Sequence, residues 1–137
     1  MPIKMKLLQP LHLLTGLWGE GEAEQFLAAK GYKVLSRRFR VTVRDEVDLI
    51  ARDGEILVFV EVKTRKTESY GRPLSAVDRK KRHVMSRAAV RYLKKLGIPV
   101  TFRFDVVEVI GGRENGSPKI RHIENAFQLD RCYVLPW

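Results

Sequence analysis

The chain has 137 residues, enough for one domain, and 45% of them are hydrophobic, which excludes a disordered tail. Its 26 Lys and Arg against 16 Asp and Glu give a formal charge of +10, an excess that points to a polyanionic partner, because each neutralised phosphate releases condensed counterions. A single cysteine, Cys132, excludes an intrachain disulfide and a multi-cysteine metal cluster and fits a reducing cytosol; no stretch approaches the ~20 apolar residues that span a bilayer.

Residues 1–14 are mildly apolar with Lys4 and Lys6, but Gln9, Pro10 and His12 interrupt them and no small-x-small cleavage pattern follows. They are expected to form a lead-in, loose or packed as a strand, to a single domain over 15–137. Thr15 to Lys30 predicts the first helix: Thr15 as N-cap, Glu20, Glu22 and Glu24 in its early turns, and Gly31 as its C-terminal glycine. Strands are expected over Tyr32 to Val43, Glu46 to Arg52 and Glu55 to Thr64, the last two joined by Asp53-Gly54 as a two-residue hairpin. A polar loop over Thr64 to Leu74, with Gly71 and Pro73, leads to a second helix over Ser75 to Leu96. Ser75 and Asp78 read as its capping box, Gly97 and Pro99 as its end, and Val77, Val84, Ala88, Tyr92 and Leu96 as its inner stripe. Thr101 to Ile110 is the next strand. Lys119 to Ile123 and the surroundings of Tyr133 are candidate short ones, after a turn-rich Gly111 to Pro118. The order αβββαβ predicts an α/β fold, a central mixed β-sheet flanked by helices.

The hairpin gathers carboxylates. With Asp53-Gly54 as its turn, Glu46 faces Glu61, Asp48 faces Phe59 and Ile50 faces Leu57. Glu46, Asp48, Glu61 and Lys63 then share one face, and Asp48 and Glu61 are diagonal neighbours with Cα atoms roughly 7–8 Å apart. The other face, Val47, Leu49 and Ala51 with Ile56, Val58, Val60 and Val62, is apolar and must be buried. Like charges at the end of a buried strand pair are costly, and a divalent cation relieves them. Oxygen-only ligands favour Mg²⁺ or Mn²⁺ over zinc. The plainer alternative is a solvated polar face with a cross-strand ion pair. Glu20 lies on the apolar side of its helix with Gly16, Ala23 and Leu27, within about 60° of each other, where an acid needs a cation, water or Lys.

The second helix carries Arg79, Lys80, Lys81, Arg82, Arg87, Arg91, Lys94 and Lys95, almost all of one sign. Arg65, Lys66 and Arg72 on the preceding loop extend it. Arg65, Lys66, Arg72, Arg79, Lys80, Lys81 and Arg87 are the residues expected to hold phosphates without reading base sequence; a solvated helix face is the alternative. His12, His83 and His122 show no zinc spacing, and Asp105 is expected to pair with Arg103 on its strand.

Asp48, then twelve intervening residues and Glu61-Val62-Lys63, resembles the PD-(D/E)XK phosphodiesterase signature. A wider, collinear series resembles the YraN family of bacterial proteins over roughly residues 16–127: Gly19-Glu20, Glu46-Val47-Asp48-Leu49-Ile50-Ala51, Phe59 to Arg65, Tyr92-Leu93, Arg103 to Val107 and Ile123 to Phe127. That family is similar to archaeal Holliday junction resolvases. The resemblance implies a restriction-endonuclease-like fold, Mg²⁺ or Mn²⁺ as cofactor, frequently a homodimer, and metal-dependent hydrolysis of nucleic acid, branched or structured DNA above all. It implies Asp48, Glu61 and the Val62 carbonyl as metal ligands and Lys63 as the group that orients water. Glu20 is then the helix acid that completes the site, and Glu46 tunes it or holds a second metal. Asp45 stands where the family pattern has Gly. The competing expectation is a non-catalytic nucleic-acid-binding module that recruits a partner protein.

Overall fold

In the computed structural model, which describes residues 11–43, 45–67, 77–112 and 116–137 and their side chains from residue 14, seven elements follow one another. They are α1 (Leu11–Ala29), β1 (Lys33–Arg40), β2 (Glu46–Asp53), β3 (Ile56–Arg65), α2 (Arg79–Leu96), β4 (Phe102–Ile110) and β5 (Lys119–Phe127). The strands form one sheet in the order β1-β2-β3-β4-β5. All neighbours are antiparallel except β3 and β4, which run parallel across the α2 crossover. The expected mixed sheet flanked by helices is therefore present, with β5 added to the predicted order.

Helix α1 starts at Leu11, so 11–14 belong to it and Thr15 is an interior residue rather than its cap. Gly31 ends the helix as expected. At φ +94° it permits a Schellman closure, in which Tyr32 N–H donates to Leu27 O (3.0 Å) and Gly31 N–H to Ala28 O (3.0 Å). Helix α2 begins later than expected. Its N-cap is Asp78, whose carboxylate accepts from Lys81 N–H at 2.8 Å. Ser75, Arg72 and the loop glycine Gly71 lie outside the described residues. The buried stripe of α2 is Met85, Ala88, Ala89 and Leu93, rotated from the expected one, and Leu96 is exposed.

The two helices cover opposite faces. Ala23 and Leu27 of α1 pack on Leu49, Ala51, Val58, Val60, Val107 and Val109. Met85, Ala88, Ala89 and Leu93 of α2 pack on Ile50, Leu57, Phe59, Phe104 and Val106. Val47 joins the α2 side rather than the α1 side expected from alternation. The alternation breaks at Asp48-Leu49, and β1 breaks with it: Arg37 sits opposite Leu49 and Phe39 opposite Val47, while Arg38 between them takes φ +53°.

The hairpin register differs from the sequence expectation by two residues. Asp53 pairs with Ile56, Ile50 with Phe59 and Leu49 with Val60. The turn is thus Gly54-Glu55, with Gly54 at φ +60° and Glu55 at negative φ. Glycine takes the first turn position, as a II′ turn requires, rather than the second, as an Asp-Gly I′ turn would have it. A shift of two keeps every β3 side chain on its expected face but changes which residue it meets.

Strand β5 continues to Phe127 past the expected end at Ile123, because Asn125 at φ +51° donates its N–H to Asp105 Oδ1 (3.0 Å) and absorbs a bulge opposite Phe104 and Val106. Residues 128–137 form no strand, so the one expected around Tyr133 is absent.

Gly19 sets how closely α1 approaches β3. A Cβ at this buried position would stand 2.0 Å from Thr64 Oγ1 and 3.3 Å from Thr64 Cβ. Gly19→Ala is expected to destabilise the chain by about 1–3 kcal/mol, since a packed strand side chain must move, and a urea melt reads this as a lower midpoint. An unchanged midpoint would show that the helix docks with room to spare.

Candidate functional site

The paired register of β2 and β3 stops at Leu49–Val60, although both strands continue. Asp48 fills the place where they part. Its Oδ2 accepts the Val62 N–H at 2.8 Å, and its carboxyl lies beside the Glu61 side chain. The two acids are therefore side by side rather than diagonal neighbours, as a register shifted by two dictates.

Two further acids complete the cluster from the α1 side. Ligand oxygens of Glu20, Glu46 and Asp48 all lie within 4.8 Å of one another. Glu20 reaches the sheet because the Gly19 contact draws α1 down onto β3. Glu46 does not face Glu61, as expected, but sits opposite Arg40 and accepts from its Nε at 2.7 Å. Arg38 Nε donates to Glu20 Oε1 at 3.0 Å, which the left-handed backbone at Arg38 makes possible by turning it to the same side as Arg37. On the α2 side Lys81 Nζ stands 3.3 Å from Glu61 Oε2.

Burial first, and then the hydrogen bond and charge of Glu61, push the Asp48 carboxyl up to about 8, against smaller opposing effects of the Val62 N–H and Lys81. Burial, then the charge of Asp48, likewise raises Glu20, with Arg38 opposing. The half-buried Asp48 beside the buried Glu61, with two more acids within reach and no nitrogen or sulfur donor among them, suits a hard divalent cation. Asp48 and Glu61 are the residues placed to hold it, with Glu46 and Glu20 beside them. Val62 contributes its amide to Asp48, and its side chain packs in the α1-side core.

Lys63 is half-buried on the Glu61 face of β3, beside Glu108 of β4, and forms no ion pair with the described residues. The basic candidates divide. Arg65 is the last residue of β3, not part of a loop, and stands 3.1 Å from the buried Glu108. Lys66 is exposed. Arg79 and Lys80 are exposed at the start of α2 and line a groove with Asp45, His83, Arg87 and Asp130. Lys81 is committed to Glu61. Arg87 is committed to the buried Asp45, which explains the aspartate that stands in place of the family glycine: it ties the β1–β2 turn to α2.

Sequence reasoning missed Arg38 and the specific role of Lys81. Nothing in Arg37-Arg38 tells which arginine meets Glu20, because a left-handed residue in a strand leaves no signal in a basic run. His122 is locked in the Asp105 network (2.7 Å) and His83 lies against Asp130 (3.2 Å).

Among the described residues no helix is long and apolar enough to cross a membrane. The model of an uncharacterised protein family, UPF0102, matches residues 19–109. The chain is 42% identical over 120 residues to a UPF0102 protein of Clostridium acetobutylicum, covering 87% of this chain and 98% of the relative. It is 48% identical over 114 residues to one of Symbiobacterium thermophilum (82% and 95%) and 44% identical over 117 residues to one of Geobacter sulfurreducens (85% and 90%).

Proposed function

The chain belongs to the UPF0102 family, and from its buried acid cluster we propose that it is a metal-dependent nuclease of the PD-(D/E)XK class, hydrolysing phosphodiester bonds in branched or structured DNA. One observation carries the reading: Asp48 stands beside Glu61 in the gap between β2 and β3, and Glu20 and Glu46 bring two more acids to Asp48.

A bound Mg²⁺ or Mn²⁺ would supply positive charge to a non-bridging phosphate oxygen and lower the pKa of a water. The chain's own residues do the rest. Asp48 and Glu61 would hold the cation, Lys81 pairs with Glu61, and the Val62 amide fixes the rotation of Asp48. Lys63, which forms no ion pair with the described residues, is suited to orient the attacking water or to meet charge developing on the phosphate. Arg79 and Lys80 hold flanking phosphates.

The cluster links metal to pH. The folded pKa of Asp48, about 8, exceeds the roughly 3.9 of an unfolded aspartate. Between these values the folded, metal-free chain holds a proton that the unfolded chain has lost, so its stability falls as pH rises through that window. Cation binding below pH 8 is expected to release about one proton. Calorimetry in two buffers of different ionisation enthalpy measures the release, and Mg²⁺ binding with no buffer dependence would rule the linkage out.

A labelled panel of four-way junction, flap, linear duplex and single strand tests the function, with Mg²⁺, Mn²⁺ or EDTA. Cleavage is expected with either metal and not with EDTA, and about a hundredfold more slowly in Lys63→Ala. A second reading draws on the Glu61–Lys81 and Glu20–Arg38 pairs, which offset the acids without any cation. In that reading the chain is a nucleic-acid-binding module, and it would bind the panel without cutting, unaffected by Lys63→Ala.

A further inference from the structure

On the far side of α2 from the sheet, three side chains of different chemistry converge. His83 Nδ1 lies 3.2 Å from Asp130 Oδ2 and 3.6 Å from Cys132 Sγ, and one donor atom from each of the three lies within 4.8 Å of the others. We propose that His83, Asp130 and Cys132 form a zinc-class metal site, separate from the carboxylate cluster and independent of the nuclease reading.

The distances carry the argument. Zinc binds imidazole nitrogen at about 2.0–2.1 Å, thiolate at about 2.3 Å and carboxylate oxygen at about 2.0–2.2 Å. In a tetrahedron, these bond lengths set the nitrogen–sulfur edge at about 3.6 Å and the nitrogen–oxygen edge at about 3.4 Å. The nitrogen–sulfur spacing sits at its edge, and the nitrogen–oxygen spacing lies a little inside its own.

The surroundings fit a ligand set. The other ring nitrogen, Nε2, is 3.0 Å from Tyr133 Oη, the outer contact that fixes a ligating histidine's tautomer and leaves Nδ1 free for metal. Asp130 is held from two sides: its Oδ1 accepts the Cys132 N–H at 3.1 Å, and its own N–H donates to the buried Ser86 Oγ at 2.9 Å. Thiolate, imidazole and carboxylate together select Zn²⁺ or Co²⁺ over Mg²⁺. The two anionic ligands offset the cation's charge beside Arg79 and Lys80, and Arg87 in the same groove is already neutralised by Asp45. Three protein donors leave a fourth position for water. Binding releases the Cys132 proton to solvent and fastens residues 130–133, which form no helix or strand, to α2.

Because Cys132 is the sole cysteine, a sulfur-to-cobalt charge-transfer band reports this site and no other. The full chain titrated with Co²⁺ is expected to develop that band in the near ultraviolet, with visible bands of tetrahedral cobalt, saturating at one ion per chain. Zn²⁺ should abolish it by displacement and Mg²⁺ should not. Cys132→Ser should lack it, His83→Gln and Asp130→Asn should bind at least tenfold more weakly, and Asp48→Asn should match the wild type. The proposal is overturned by no band, by saturation at half an ion per chain, which means a cysteine bridge between two chains, or by an unchanged titration in His83→Gln.

Discussion

Asp48→Asn is expected to lower metal-dependent cleavage at least about a thousandfold while leaving the melting temperature in EDTA unchanged or higher. The two effects have opposite signs because Asp48 serves different ends with and without the cation. In the proposed nuclease the carboxylate would be a direct ligand, and losing a ligand's share of transition-state charge stabilisation, about 4 kcal/mol, is a factor of a thousand. Without it, the carboxyl is a liability that burial and Glu61 have pushed to about 8. Asparagine keeps an oxygen for the Val62 N–H, 2.8 Å away in the wild type, and an amide donor for Glu61. Single-turnover cleavage paired with thermal melts in EDTA and in Mg²⁺ separates the cases. A Mg²⁺-dependent rise in melting temperature that survives in Asp48→Asn would remove Asp48 from the ligand set. A drop of many degrees in EDTA would instead make the cluster a structural feature.

The largest effect on stability is expected well away from that cluster, at Asp105. This fully buried carboxylate accepts from Arg103 Nε (2.9 Å), Arg103 Nη2 (3.2 Å), His122 Nε2 (2.7 Å) and the Asn125 N–H (3.0 Å). Burial by itself would raise its pKa, but the His122, Arg103 and Asn125 hydrogen bonds override burial and hold it below the ordinary carboxylate range. The network extends outward through Arg103 Nη2 to Tyr32 Oη (2.6 Å), with burial pushing the phenol up to about 12, and through His122 Nδ1 to Lys30 Nζ (2.8 Å). It joins the end of α1 to β4 and β5. Asp105→Ala strands a guanidinium and an imidazole in a low-dielectric interior, and breaking one side of such a pair costs about 3–5 kcal/mol. Urea denaturation at neutral pH should show a loss of that size with an unchanged m-value. A loss below about 1 kcal/mol would mean that water replaces the carboxylate. The depressed pKa also sets a sign: the stability that Asp105 contributes is present above the unfolded aspartate pKa and is lost as pH falls through the lower folded one.

Much of the architecture was legible before any coordinates. Gly31 and Gly97 mark helix ends because only glycine enters the left-handed region there without strain. The apolar run Leu57 to Val60 announces a strand buried on both faces, and Glu61 and Lys63 follow from the period of two. The acids were legible as a set, since Glu20, Glu46, Asp48 and Glu61 do come together.

How the acids meet was decided elsewhere. Asp53-Gly54 is compatible with two turn types that differ in which residue leads, and the choice between them moves the register by two and brings Asp48 against Glu61. The break in alternation that sends Val47 to one helix and Leu49 to the other depends on the matching left-handed residue at Arg38 in a different strand. Arg87 was read as a phosphate ligand from helix charge alone, yet the docking of α2 against the β1–β2 turn pairs it with Asp45. The sequence by itself determined the elements, their apolar faces and the inventory of acids, because helix and strand periodicity and left-handed glycines are local properties of consecutive residues. Only the tertiary structure decided register, the partner of each charge and the placing of Asp48 between diverging strands, because those depend on turn type and on which distant element supplies the opposing group.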